Sequence, residues 1–167
     1  MHMKKLVPVL AGVLVTAAMP ASAATKTQSI TVTATVAGNC VVGAQSLSFG
    51  SYDGSAALTS SGDVSVRCSN GTPYTVLLSS GGGTFAQRLL GNGGSNSLQY
   101  NLYTSSAYST IWGDGSASTG TLGGTGSGMS ASKVKTHTIY GQLPNSAANQ
   151  DAPAGSYSDS IVVTVSY

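Results

Sequence analysis

Residues 27–36 read Thr-Gln-Ser-Ile-Thr-Val-Thr-Ala-Thr-Val, with hydroxyl side chains at the odd positions and, from Ile30, apolar side chains at the even ones. A period of two places Ile30, Val32, Ala34 and Val36 on one face of an extended strand. It does not fit a helix, whose faces recur about every 3.6 residues. The same reading predicts strands over 41–49, 63–68, 74–79, 98–104, 133–143 and 158–167. Turn formers separate them: the glycine-rich 80–83 and 91–94, Gly113-Asp114-Gly115, the run 115–128, and 144–155. Seven short strands with such punctuation predict an all-β chain, an immunoglobulin-like β-sandwich. The Gly/Ser-rich stretches 80–97 and 113–132 read as long surface loops, the second flanked by Tyr108 and Trp112.

Composition narrows the function. Only 7% of the 167 residues are charged and none is glutamate, against about 25% charged in an average soluble domain. A helical bundle needs Glu, Lys, Leu and Ala in quantity. A nucleic-acid binder needs a basic face to displace counterions. A two-carboxylate hydrolase needs more acids than five aspartates offer.

The amino-terminal segment reads as a secretory signal. Lys4 and Lys5 precede an uncharged apolar run over 6–19, and Ala21-Ser22-Ala23 supplies a small-x-small cleavage site. That run falls short of the roughly 20 residues needed to span a bilayer. Cleavage after Ala23 removes two lysines and leaves five basic residues against five aspartates. Export to an oxidising compartment favours a bridge between Cys40 and Cys68, the only cysteines. The rival readings are a metal pair and a reactive thiol, although two ligands do not fill a zinc site. Closing that loop is worth about 3.5 kcal/mol on the chain-entropy argument.

The two ends of the exported chain complement each other. In 160–167, Ile161, Val163, Val165 and Tyr167 share one face, and that face needs cover. Residues 27–36 form an uncharged alternating segment joined to Cys40 by Ala37-Gly38-Asn39. Either this segment folds back into its own sandwich, or it completes the sheet of another copy. A short hinge favours exchange, and a head-to-tail exchange builds a filament. Periodicity alone leaves the choice open.

An ordered set of motifs bears on it. They are Gly38-Asn39-Cys40, Leu47-Ser48-Phe49-Gly50-Ser51-Tyr52-Asp53, Val66-Arg67-Cys68 and Thr72-Pro73-Tyr74-Thr75-Val76. They continue with Leu98-Gln99-Tyr100-Asn101-Leu102-Tyr103, Ile111-Trp112-Gly113-Asp114-Gly115, Ile139-Tyr140-Gly141-Gln142-Leu143-Pro144 and Ala154-Gly155-Ser156-Tyr157-Ser158-Asp159. With these the chain resembles the spore coat protein U-domain family, pilins of the archaic chaperone–usher class, and is most similar to the rod subunit of Csu-type pili. The resemblance implies an incomplete immunoglobulin-like β-sandwich completed by donor-strand complementation. It divides the chain into a signal peptide (1–23), a donor strand and hinge (24–39) and a pilin domain (40–167). It further implies a periplasmic chaperone, an outer-membrane usher, identical subunits in a head-to-tail fibre with tip subunits, and a place on the cell surface in attachment and biofilm formation. Ile30, Val32, Ala34 and Val36 are then the donor face. Leu47, Phe49, Ile161, Val163, Val165 and Tyr167 are the expected acceptor groove.

Catalytic chemistry is not expected, nor a cofactor or metal. There is no G-x-S-x-G nucleophile elbow. His137, beside Lys135, reads as a surface histidine. Asp114 reads as a turn aspartate rather than a calcium ligand. The G-x-G-x-x-A run over 126–131 has no strand-and-helix frame, and Asn70-Gly71-Thr72 is a glycosylation acceptor with no use on a bacterial export route. The alternative function is a self-contained secreted adhesin or lectin module that binds its ligand at the Trp112 loops with help from the eight tyrosines.

Overall fold

The computed structural model describes residues 19–20 and 22–167, in two units, Met1–Thr35 and Val36–Tyr167. The predicted signal lies outside the described residues except at 19–20 and 22–23. Within the first unit, the described residues form no helix or strand. The strand predicted over 27–36 is corrected accordingly: alternation creates a face, but an isolated strand has no ladder partner for its peptide groups. Ile30 and Val32 are each 85% exposed and Val36 is 89% exposed. Apolar side chains lie in water along the whole alternating face.

The second unit is the body, with eight strands in two antiparallel sheets. They are β1 Cys40–Ala44, β2 Leu58–Cys68, β3 Pro73–Leu78, β4 Arg88–Gly91, β5 Ser97–Tyr103, β6 Leu122–Thr125, β7 Lys135–Leu143 and β8 Val163–Ser166. One sheet has the order β1-β2-β7-β5-β4 and the other β6-β3-β8. Period-two patterning builds the core between them. Val64, Val66 and Cys68 of β2, Tyr74, Val76 and Leu78 of β3, Leu98, Tyr100 and Leu102 of β5, and Ile139 and Leu143 of β7 are all buried. Cys40 and Cys68 face each other in the β1–β2 register and are joined as a disulfide. The bridge ties the first strand of the body to its neighbour.

Several predicted boundaries change. The strand predicted over 63–68 begins five residues earlier, at Leu58, where it pairs with Leu143. The strand predicted over 41–49 ends its ladder at Ala44, after which the Gln45 N–H makes one last bond to the Asp63 carbonyl and the chain leaves β2. The strand predicted over 158–167 is split: Ser158 bridges Gly91 of β4, and the chain then crosses to pair with β3 only from Val163. The glycine-rich stretches read as loops contain β4 and β6. Glycine weakens strand propensity, yet β6 requires it, because a Cβ on Gly123 would run into the Tyr74 carbonyl. A one-turn helix, α1 Ala147–Gln150, sits inside the predicted 144–155 turn, capped by the Ser146 side chain.

Arg88 ties the body together from within. It is fully buried, donating from Nε and Nη2 to the Ser79 carbonyl (3.1 and 2.8 Å), from Nη2 to the Trp112 carbonyl (2.7 Å) and from Nη1 to Asn101 Oδ1 (2.6 Å). Its acceptors belong to the end of β3, to β5 and to the Trp112 segment. Burial lowers the basicity of the guanidinium, which the planar fork of donors offsets with four hydrogen bonds.

Candidate functional site: an open groove with an apolar floor

Between the departure of β1 and the arrival of β8 the body is left open. The opening is a groove of about 860 Å³. One wall is the segment 44–52, with Leu47 and Phe49 half-buried and Ser46, Ser48 and Gly50 exposed. The other is 152–163, including Ile161 and Val163. Inward side chains of β5 and β7, namely Leu98, Tyr100, Leu102, Ile139 and Leu143, make the floor.

Both walls keep free ladder groups. Among the described residues, the main chain of 47–52 makes no backbone–backbone hydrogen bond, although the Ser48 carbonyl accepts the Ser60 hydroxyl and the Gly50 N–H donates to the Ser48 hydroxyl; on the other wall Ser158 pairs with Gly91, and β8, which begins at Val163, pairs with β3 alone. A slot with an apolar floor, between two segments that each keep main-chain groups free, is a geometry that accepts one further strand: its peptide groups find partners on either side, and its alternate side chains enter the slot.

Polar contacts fix the walls in place. Asp159 Oδ1 accepts the Gly82 N–H at 2.9 Å and the Ser160 N–H at 2.7 Å, and Oδ2 accepts the Tyr100 hydroxyl at 2.6 Å. Burial, and then the bond to Asp159, push the Tyr100 hydroxyl well above its ordinary pKa, so it stays a donor. The Tyr100 ring also meets Phe49 edge-on at 6.0 Å, joining floor to wall. Asn149 is buried and clamps β5 by giving Nδ2 to the Gln99 and Pro144 carbonyls (2.9 and 2.8 Å) and taking the Gln99 N–H at 2.7 Å. Tyr52 reaches Asn145 Oδ1 at 2.6 Å, and the Tyr157 hydroxyl reaches the Pro153 carbonyl at 2.7 Å.

Of the expected groove residues, Leu47, Phe49, Ile161 and Val163 come together on the two walls. Val165 packs half-buried against the core further along β8, and Tyr167 is 61% exposed; neither lines the groove. The floor and the anchors Tyr100, Asn149 and Asp159 were not identified by sequence reasoning. Their signal was present only as alternation in 98–102 and as an isolated acid ahead of the last strand.

Two other sites differ from expectation. His137 is not a surface histidine. It faces inward on β7, its Nε2 lies 3.0 Å from the Tyr74 hydroxyl, and its ring meets Tyr74 and Trp112 edge-on at 5.7 and 6.4 Å. Burial lowers its pKa. Trp112 is completely buried, with Nε1 donating to the Val76 carbonyl at 3.0 Å, so it offers no adhesive surface. Asp114 is a turn residue: its carboxylate accepts from the Ser116 hydroxyl and N–H, which hold it below the usual carboxylate range.

No curated protein sequence matches the chain. Among solved structures it is similar to the crystal structure titled as the CsuC–CsuE chaperone–tip adhesion subunit pre-assembly complex from the archaic chaperone-usher Csu pili of Acinetobacter baumannii. The TM-score is 0.55 at 24% identity, over 80% of this chain and 40% of that one, so this chain spans less than half of the other's length. The likeness is one of fold. The model of the Spore Coat Protein U domain matches residues 26–164, a span that takes in the alternating segment, the disulfide, the floor and both walls, and the chain belongs to that family.

Proposed function

We propose that the chain is a structural, non-catalytic subunit of an extracellular chaperone–usher pilus. Residues 1–23 direct export, 24–39 form the donor strand and hinge, and 40–167 form the pilin domain. The groove of one copy receives Ile30, Val32, Ala34 and Val36 of the next. The receiving walls are Leu47 and Phe49 on one side and Ile161 and Val163 on the other, with Val165 and Tyr167 continuing β8 beyond the slot. A periplasmic chaperone guards the groove before assembly, an outer-membrane usher exchanges it for the neighbour's strand, and tip subunits end the fibre. The fibre serves surface attachment and biofilm formation.

The observation that carries this reading is that the chain has both an exposed apolar alternating segment and a slot with an apolar floor whose walls keep main-chain groups free. Burying Ile30, Val32 and Val36 is worth roughly 1.5–3 kcal/mol each before ordering costs. Each ladder bond adds about 0.5–1.5 kcal/mol net.

The test uses a chain lacking 24–38, isolated with its disulfide intact, and a synthetic peptide of residues 25–38. Stoichiometric co-elution and a large rise in melting temperature are the expected results. The Val32→Asp peptide fails to bind, because its carboxylate would be buried unpaired. A truncated body that is stable alone and ignores the peptide would refute strand exchange.

A further inference from the structure

We propose that the body carries complementary charged ends, and that along the fibre the basic end of one copy seats on the acidic end of the next, around the mouth of the groove. This rests on the strand-exchange reading above. In the described body, every basic side chain that reaches solvent lies at one end. Lys135 pairs with Val66 in the β2–β7 register, Arg67 follows Val66, and Arg67 Nη1 donates to the Met129 carbonyl just ahead of Lys133. The fourth cation, Arg88, is buried.

Asp53 and Asp151 are exposed at the other end. Their segments are stitched together, Gln150 Nε2 to the Gly54 carbonyl at 3.3 Å and Asn145 Nδ2 to the Ser55 carbonyl at 3.2 Å. Their neighbours Tyr52 and Ala152 line the groove, so the two carboxylates flank its mouth. Bonds from the Ser55 hydroxyl and N–H hold Asp53 below the ordinary carboxylate range and therefore ionised. Eleven residues of β2 separate the ends, about 33 Å, against a Debye length of about 8 Å. The ends do not neutralise each other within one body.

Chain direction brings them together between copies. The hinge leaves the body at the basic end, where Asn39 and Ser69 exchange hydrogen bonds beside the disulfide. β8 runs toward that same end, because Ser166 faces Thr75 near the start of β3 while Val163 faces Leu78. A donor strand antiparallel to β8 therefore emerges at the acidic mouth. The three-residue hinge, about 10 Å long, then draws the donor copy's Arg67, Lys133 and Lys135 onto the acceptor's Asp53 and Asp151. Lys26, far along the donor, approaches the acceptor's basic end, which is a smaller opposing effect. A parallel insertion sets three cations against three and recovers only Lys26 near two aspartates. Charge selects the antiparallel direction.

The test is polymerisation of the purified full chain at low and high salt, followed by light scattering and electron microscopy. The wild-type rate should fall about tenfold with salt, as steered association does. The Asp53→Lys/Asp151→Lys variant should be about tenfold slower than wild type at low salt and speed up with salt. Adding Arg67→Glu, Lys133→Glu and Lys135→Glu to it should restore the wild-type profile, a rescue that misfolding does not produce. If end-reversed variants match wild type at both salts while Val32→Asp still blocks assembly, the charged junction is wrong and strand exchange survives. If Val32→Asp assembles like wild type, strand exchange fails and takes this inference with it.

Discussion

Replacing Arg88 with methionine isolates what a buried cation does in a chain with few charges. Methionine matches the stem and removes the guanidinium. Two of its acceptors, the Ser79 and Trp112 carbonyls, are main-chain groups that no side-chain change elsewhere can remove. Asn101 Oδ1 keeps the Leu102 N–H at 2.9 Å. Two buried carbonyls left without this donor cost about 1–3 kcal/mol each, so the expected loss is about 2–6 kcal/mol. Relief from burying a charge acts in the opposite direction, and a fully apolar replacement of such a network can be neutral. That escape is closed here because the carbonyls stay. Arg88→Lys should fall between, since one ammonium cannot reach acceptors placed for a planar fork. The assay is guanidinium unfolding of the disulfide-intact chain, read by Trp112 fluorescence. Trp112 is the only tryptophan, and its own carbonyl is one of the acceptors. Against a total stability of about 5–15 kcal/mol, the shift in midpoint should be large. A methionine variant within about 0.5 kcal/mol of wild type, or more stable than it, would refute the reasoning.

Three other perturbations report on the body and its groove. His137 is held neutral by burial, below the ordinary 6.5, and its neutral ring can accept the Tyr74 hydroxyl. The unfolded chain then binds the proton first, so stability is complete above about pH 6.5 and declines as pH falls toward the folded pKa; His137→Gln should flatten that slope in a series of thermal melts. Cys40→Ser with Cys68→Ser should lower stability by about 3.5 kcal/mol through loop closure, and dithiothreitol should reproduce the effect in wild type alone. A Cβ on Gly141 would stand 3.0 Å from Leu47 Cδ1 and Phe49 Cζ, so Gly141→Leu should push the Leu47 and Phe49 wall out of place and weaken capture of the 25–38 peptide about tenfold or more by titration calorimetry, with the fold retained by circular dichroism.

How much was legible depended on whether a residue's role is set by its neighbours in sequence. Val64-Ser65-Val66-Arg67-Cys68 shows its buried face by alternation alone, and Cys40 and Cys68 pair because no third cysteine competes. Leu47, Phe49, Ile161 and Val163 show an apolar face for the same reason, but that they flank a groove was implied by the family resemblance and not by alternation. Alternation did not reveal where a ladder stops. Residues 41–49 keep their period after Ala44, but the partner strand is gone, and only the fold decides that. Nor did it find β6, where Gly123 is placed for a close approach to Tyr74 rather than for propensity. His137 reads as exposed because its neighbour Lys135 is exposed, while two packed rings from other segments, Tyr74 and Trp112, govern its own surroundings.

The groove also has to stay open while empty, and apolar patterning works against that. Closing the walls over the floor would shelter Phe49 and Ile161, so something must oppose collapse. The oppositely acting contacts are polar and directional. Asp159 is held at once by Gly82, Ser160 and Tyr100, and Asn149 by Gln99 and Pro144. Bonds to a carboxylate are worth about 1.5–3 kcal/mol each, and moving the 158–161 wall inward would strain those from Gly82 and Tyr100 together, while the one from Ser160 moves with the wall. The gain from drawing in two half-buried side chains is at most about 3 kcal/mol apiece and is partly realised already. The balance favours a standing slot, and the polar residues that alternation overlooks are the ones that hold its walls in place.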